Sequence, residues 1–432
     1  MPVVTLSGTP DLLGLHIADP RRYPFLLETL DNGNSGWDIL FAFPQISEEP
    51  LNAPFFSVLE QAWRKSGGIA PETGDLPFHG GWFIYLGYEL LHELEPSVRP
   101  RIAAPDFPVA RLVRIPAAVM VNKAQQQTLL FAEQEHAECL MTLRADLDRI
   151  TRVPGEPVHV ENLLEEPPEA FIRGVSRIKD YIREGDVFQV NLARRWQGQL
   201  AAGNAARLYA RLRRSNPAPF AGIADFGHCQ IVSSSPERLV GVRDGLVETR
   251  PIAGTHPRSP DAGEDEALRA ALMASQKERA EHIMLIDLER NDLGRICQPG
   301  SIEVNELMAV RSYAHVHHIE SNVRGRLRPG VAPAATLRAL FPGGTITGCP
   351  KVRTMQIIRE LEASPRGAYT GSMGYLNRDG SMDLNILIRT FMLNGEQLSF
   401  KAGAGIVADS APLHELNETR AKAKGLLKAL AS

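Results

Sequence analysis

Residues 371–402 read GSMGYLNRDGSMDLNILIRTFMLNGEQLSFKA, and three strand-like runs lie within them: Gly371–Leu376, Met382–Met392 and Leu398–Ala402. A helical run precedes them at Val352–Leu361, and a terminal helix follows from about Leu413. Helix and strand therefore alternate through the last third of the chain, which predicts an α/β or α+β architecture with a large sheet content. Toward the N-terminus, the pattern from Glu264 to Arg290 is helical. Val187–Leu192, Gln230–Ser234 and Leu239–Val242 read as strands, with turns at Gly185-Asp186 and Asp244-Gly245. Phe171, Val175, Ile178 and Ile182 recur at the spacing of an amphipathic helix. Just before them, Glu161–Glu169 gathers acidic residues around Pro167 and Pro168 and offers little apolar surface to bury, so it reads as a solvated linker. Ahead of it, Trp37–Phe43, Gly81–Leu86 and Leu112–Val121 are short strand-like runs. The expected division is into residues 1–160 and 161–432.

The chain has 432 residues, of which 44% are hydrophobic and 23% charged, with a net charge of −4. That length allows a large core and suggests two or three domains. No basic field of the kind a nucleic-acid binder needs is present, so a small-molecule substrate is expected. Cys139, Cys229, Cys297 and Cys349 lie far apart with no C-x-x-C pair, which argues against a zinc site or a disulfide framework and for a reducing, cytoplasmic compartment. Met1–Leu15 lacks the basic start and apolar core of a signal peptide. No run of about 18 apolar residues occurs; even Val109–Val121 is interrupted by Arg111, Arg114 and Pro116. A soluble protein with no membrane partner is expected.

Two carboxylate pairs carry the chemistry. Glu278 and Glu281 are three apart on one predicted helix, and Glu415 and Glu418 are three apart on another, so each pair projects from one helix face. Mg2+ needs only one or two protein carboxylates, because water and substrate oxygens complete its octahedron. The alternative reading is two solvated acidic faces. Glycine-rich turns form a second group. The run from Phe341-Pro342-Gly343-Gly344 through Thr345-Ile346-Thr347-Gly348 leads into Pro350 and a helix, whose start offers free N–H groups to an anion. Gly403-Ala404-Gly405 after a strand, and Gly254-Thr255 after Arg250-Pro251-Ile252-Ala253, would let a ligand approach backbone amides, or are simply tight turns. Arg389, read within the strand Met382–Met392 on the face of Asn385 and Leu387, needs a partner. A bidentate carboxylate suits its planar fork, as would an internal salt bridge or an edge position reaching solvent. His317 and His318 close the run His315-Val316-His317-His318, and either is read as a satisfied core or surface histidine.

These segments fall in a recognisable order. From about Phe171 to the C-terminus the chain resembles the chorismate-binding family, which includes anthranilate synthase component I, aminodeoxychorismate synthase component I, and isochorismate and salicylate synthases. The resemblance rests on Ser235-Pro236-Glu237-Arg238, Pro251–Thr255, Arg279-Ala280-Glu281-His282, Asp287–Asp292, His317-His318, Lys351-Val352-Arg353, Ile388-Arg389-Thr390, Ala402–Ser410 and Glu418-Thr419-Arg420-Ala421-Lys422. It implies a large layered sandwich of mixed α/β (α+β) type, with residues 1–160 intertwined with a catalytic region at 161–432. It also implies site roles. Glu281 and Glu418 would be Mg2+ ligands, supported by Glu278 and Glu415. Arg389, Tyr369 and the amides of Gly403 and Gly405, beside Gly254, would hold a chorismate carboxylate, with Lys422 adding positive charge. His318 would assist loss of the ring hydroxyl, Glu237 would act near the nucleophile, and Thr255 and Thr345 would line the ring pocket.

Water-adding members resemble one another in placing a lysine base where this chain has Gln189, so amination with ammonia is expected here. Phe341–Lys351 with Thr347, Asn216-Pro217-Ala218-Pro219-Phe220, Leu76–Gly81 and Gly87-Tyr88-Glu89 resemble aminodeoxychorismate synthases, which serve folate biosynthesis. Ala253 resembles anthranilate synthases instead, since many aminodeoxychorismate synthases carry a nucleophilic lysine there. The chain has no Cys-His-Glu apparatus for releasing ammonia from glutamine, so a glutamine amidotransferase subunit is expected as its partner in a heterodimer. Leu26-Leu27-Glu28-Thr29 resembles a segment that binds tryptophan in relatives.

Overall fold

Alternation along the strands sorts the apolar side chains onto two facing antiparallel sheets, one of twelve strands and one of nine among the described residues. The computed structural model describes residues 2–30, 35–45, 53–66, 76–98, 107–150, 157–313 and 316–431, with the side chains of residues 255 and 257 outside that description. In the larger sheet, Phe25–Glu28 pairs with Trp37–Ala42 and Phe220–Asp225, and the order continues through Cys229–Ser235, Thr390–Asn394 and Gln397–Ile406 to Gln189–Ala202. In the smaller, Val316–Arg326 pairs with Ile252–Pro257 and Leu246–Arg250. The order then runs through Arg238–Arg243, Met382–Asn385 and Ser372–Asn377 to Gly81–Leu86.

One core lies between the sheets: Phe25, Phe41 and Ile231 of the larger meet Phe83, Tyr85 and Met373 of the smaller. Phe25 and Phe83 stack with centroids 4.0 Å apart. Three further cores seal the outer faces under helices, one of them between the helices Pro168–Arg183 and Lys351–Leu361 and the strands Gln189–Ala202 and Gln397–Ile406. Ala205–Ser215 and Pro412–Leu430 cover the larger sheet, and Phe55–Lys65, Gln276–Gly294 and Pro333–Leu340 cover the smaller. The layered sandwich expected from the resemblance is what the chain forms. Strands from residues 2–150 and 157–431 share both sheets, which supports our proposal that the regions 1–160 and 161–432 are intertwined.

Four readings of the sequence are corrected. Met382–Met392 is two strands, Met382–Asn385 in the smaller sheet and Thr390–Asn394 in the larger, and the chain crosses between the sheets at residues 386–389. The run looked continuous because both strands and the crossing residues Ile386 and Leu387 are buried. Arg389 therefore sits in the crossing, with φ 53°, and not on a strand face with Asn385 and Leu387. Leu112–Val121 likewise divides into Ala110–Ile115 and Ala117–Asn122, one in each sheet, at Pro116, which has no N–H to give a ladder. The acidic stretch is no linker. His159–Glu165 is a strand on Gln189–Ala202, and a helix starts at Pro168; Glu165 pairs with buried Arg194 and with Arg420. Finally, the helical run from Glu264 is two helices, Ala262–Ala274 and Gln276–Gly294. They meet at Ser275, whose side chain caps the second by accepting from the Glu278 N–H.

Candidate active site

The cap at Ser275 sets where the second helix begins; that helix carries Glu278 and Glu281, and the terminal helix Pro412–Leu430 carries Glu415 and Glu418. The four carboxyls act on one another. Burial lifts Glu281 to about 7; Lys277, 3.7 Å away, opposes this, while Glu278, Glu418 and Glu415 add to it. Glu415 is raised by burial and by Glu418. Burial also pushes Glu418 upward, but Lys422 at 2.7 Å and a hydrogen bond from Glu415 leave it below its ordinary value. The Glu281 Oε1 atom is buried and makes no hydrogen bond among the described residues, its ion pair being the long one to Lys277 Nζ. Ligand atoms of His414, Glu415 and Glu418 lie within 4.8 Å of one another.

Carboxylates that raise one another, with a buried Glu281 oxygen that accepts no hydrogen bond, fit a hard divalent cation with oxygen ligands, and Mg2+ meets that description. Binding it requires Glu281 to lose a proton held up to about 7. Mg2+ affinity should therefore strengthen as pH rises, by about tenfold between pH 6 and pH 8 if one proton is released. Calorimetric titration with Mg2+ at the two pH values measures this, and equal affinities would contradict it.

On the other side of the site, Arg389 precedes the strand Thr390–Asn394, in which Phe391 pairs with Phe400 of Gln397–Ile406. The pairing stops at Phe400, so residues 401–406 have one free edge among the described strands. Lys422 Nζ donates to the Gly403 carbonyl at 3.1 Å. A strand residue turns its N–H and C=O to the same side, so the Gly403 and Gly405 amides face that edge. These glycines lie inside a strand, not after one as expected. A Cβ on Gly403 would come within 2.8 Å of the Tyr369 hydroxyl, and one on Gly405 within 2.4 Å of the Gln189 amide.

Arg389 Nη2 reaches His318 Nε2 at 3.4 Å, and His318 Nδ1 donates to the Gly254 carbonyl at 3.0 Å. Burial, and then the Arg389 charge, push His318 down to about 3. The ring is thus neutral, with its lone pair at Nε2. Burial lowers Arg389 too, countered by Glu237 and Tyr313. Gly254, with φ 64°, leaves no room for a side chain: a Cβ would meet Leu272 at 2.8 Å and Glu278 Oε2 at 3.0 Å. It joins the histidine to the first carboxylate pair.

Glu237 completes the ring of groups. Buried next to Thr345 and Glu320, its carboxyl rises to about 7, chiefly through burial. The Thr345 hydroxyl and the Ile252 backbone N–H oppose that rise. The field of Glu237 also reaches Tyr369, whose hydroxyl is pushed up by burial.

Of the predicted residues, Glu278, Glu281, Glu415 and Glu418 form one end. Lys422, Gly403, Gly405 and Tyr369 make one wall, and Arg389, His318, Gly254, Glu237 and Thr345 the other. The backbone of Thr255 pairs with His318, but its side chain lies outside the described residues. The helix start after Pro350 contributes no identified group; the turn before it contributes Thr345. Sequence reasoning missed His414, although it stands one turn before Glu418, and Glu289, a buried carboxyl raised to about 8 mainly by burial. Leu26–Glu28 lies on a strand, with Glu28 held by Tyr209 and by Arg213 at 3.2 Å.

Matched against known families, residues 28–428 fit the chorismate binding enzyme family. The chain belongs to that family. Its relatives include an anthranilate synthase component I-like protein of Synechocystis, 44% identical over 82% of this chain and 73% of its own. Aminodeoxychorismate synthase component 1 of Bacillus subtilis is 49% identical over 61% of this chain and 56% of its own. Among solved structures, anthranilate synthase component I of Streptococcus pneumoniae superposes with a TM-score of 0.76 at 31% identity, over 99% of this chain and 92% of its own. No helix among the described residues is long and apolar enough to cross a membrane.

Proposed function

We propose that this family member aminates chorismate: ammonia replaces the ring hydroxyl, giving 4-amino-4-deoxychorismate and water for folate biosynthesis. The observation that carries the reading is the connected series of groups just described, from Arg389 through His318 and Gly254 to the glutamates of two helices and on through Lys422 to the glycine-lined edge. Chorismate has two carboxylates. Arg389 offers one of them a planar fork, and the amides of Gly403 and Gly405 with the Tyr369 hydroxyl offer further donors. Glu281 and Glu418 would hold Mg2+ with Glu278 and Glu415 around them, and when bound it supplies Lewis-acid charge to the other carboxylate.

Two protons must move. One is added to the departing hydroxyl so that water leaves, and one is taken from the attacking nitrogen. The resemblance assigns the leaving group to His318 and the nucleophile side to Glu237. Glu237, whose carboxyl is raised chiefly by burial, and His318, which is held neutral by burial and the Arg389 charge, are the two groups of the site that can carry these protons.

Thr347, the Asn216–Phe220 segment and the Bacillus subtilis relative favour aminodeoxychorismate as product. Ala253 favours a second reading, anthranilate with pyruvate, because no covalent lysine intermediate can form at that position. Ammonia would come from a glutamine amidotransferase subunit. Three of the four cysteines are buried. The thiol of the fourth, Cys349, is pushed up by burial, the reverse of an activated nucleophile.

Incubating the chain with chorismate, Mg2+ and ammonium, then identifying products by mass, tests this. We expect 4-amino-4-deoxychorismate, and no turnover when glutamine replaces ammonium. Fluorescent anthranilate with pyruvate would replace the product assignment, and untouched chorismate would reject the function.

A further inference from the structure

His318 and Glu320 lie on one face of the strand Val316–Arg326, two residues apart, and His317 lies on the other. Tyr313 touches the first face at both positions. Its ring meets the His318 ring with centroids 5.8 Å apart and planes inclined at 58°. Its hydroxyl donates to Glu320, which also faces Arg250 at 3.5 Å.

The tyrosine is itself held from behind. Its N–H donates to the Val316 carbonyl at 2.8 Å, and its own carbonyl accepts from Arg258 Nη1 at 2.9 Å. Arg258 Nε donates to both Asp265 carboxylate oxygens, at 2.8 and 2.9 Å. Asp265 also accepts from the Ser259 N–H at 3.0 Å and meets His317 Nε2 at 3.1 Å. The other His317 nitrogen, Nδ1, bonds the Ser312 hydroxyl at 2.8 Å. These bonds tie the first turn of the helix Ala262–Ala274 to the ends of two strands, and Tyr313 is the member of the set whose side chain reaches the histidine of the site.

We propose that Tyr313 is a positioning residue for His318: its ring fixes the rotation of the imidazole so that Nε2 faces Arg389 and the substrate, while the Arg258–Asp265–His317 clamp holds Tyr313 in place. The inference rests on the proposed amination. The Gly254 and Arg389 contacts hold the imidazole through its two ring nitrogens, and the inclined Tyr313 ring braces the ring so that this orientation is kept when substrate enters. Misdirecting Nε2 would slow proton transfer without altering the carboxylate-binding groups.

The test compares the full chain with Tyr313→Leu and Tyr313→Phe, using chorismate, saturating Mg2+ and ammonium. For Tyr313→Leu we expect kcat to fall about 30-fold to 100-fold, within the range that geometric misplacement costs, with KM for chorismate little changed. Tyr313→Phe keeps the ring and should restore kcat to within about threefold of the unaltered chain. Should Tyr313→Leu not fold, Asp265→Asn, which loosens Arg258 far from the substrate, should show a smaller fall of the same kind. Unchanged kcat in the Leu and Asn variants, a loss confined to KM, or a Phe variant as slow as the Leu variant would overturn the role. An unaltered chain that leaves chorismate untouched would instead sink the amination reading, and this role with it.

Discussion

Arg389→Met should lower kcat/KM for chorismate by about a thousandfold, the cost of losing one partner of a buried charge-assisted pair. The size follows from the surroundings. Arg389 is held in the crossing between two sheets, at a left-handed φ of 53° that a non-glycine residue rarely adopts. Within the pocket its nearest bond is a long one, 3.4 Å, to a neutral imidazole. Such a guanidinium is poised for an incoming carboxylate. The substitution should also let His318 rise, since Arg389 is the largest charge effect holding it down. Steady-state kinetics with ammonium measure the first effect, and a shift of the pH–rate profile toward higher pH the second. A variant with unaltered kcat/KM would remove Arg389 from the substrate site.

The second large effect is expected at Glu281. Glu281→Gln should abolish Mg2+ binding and lower turnover by about a thousandfold or more, because a ligand charge is lost from the cluster. It should also change stability in the metal-free chain, and the sign is fixed by linkage. The folded-state value of Glu281, about 7, lies above the ordinary 4.5. The folded chain thus retains a proton that the unfolded chain releases, and stability falls as pH climbs from about 4.5 to about 7. Removing the carboxyl should flatten that fall, and added Mg2+ should offset it in the unaltered chain, more at pH 8 than at pH 6. Thermal melts across pH 5–8, with and without Mg2+, provide the check. A variant as Mg2+-responsive as the parent would contradict the assignment.

Much of the scaffold was legible in the sequence because helix and strand periodicities are local. The helices at Lys351–Leu361 and Pro412–Leu430 and both glutamate pairs fall where spacing predicted them. What was hidden depends on long-range burial. A continuous apolar run such as Met382–Met392 looks the same whether it stays in one sheet or passes between two, so the crossing that presents Arg389 was invisible. Acidic residues at Glu161–Glu169 looked solvated because Arg194 and Arg420, which pair with Glu165, come from distant sequence. The Ser275–Glu278 pair did carry a local signal, a cap three residues before a glutamate, yet the flanking periodicity masked it. Proton states at Glu237 and His318 have no sequence signature, since burial, and at His318 the Arg389 charge, set them only after folding. The contact of Tyr313 with His318 likewise exists only once two strand ends meet.

If the glutamates of two helices and the arginine of the crossing serve one ligand, chorismate and Mg2+ must bind cooperatively, each strengthening the other by the same factor. Calorimetric titration of chorismate into the protein with and without Mg2+ measures that factor. The account predicts at least about tenfold tighter chorismate binding with the metal, and no such gain in Glu281→Gln. Equal chorismate affinity with and without Mg2+ would mean that the two ends of the site do not act on the same molecule.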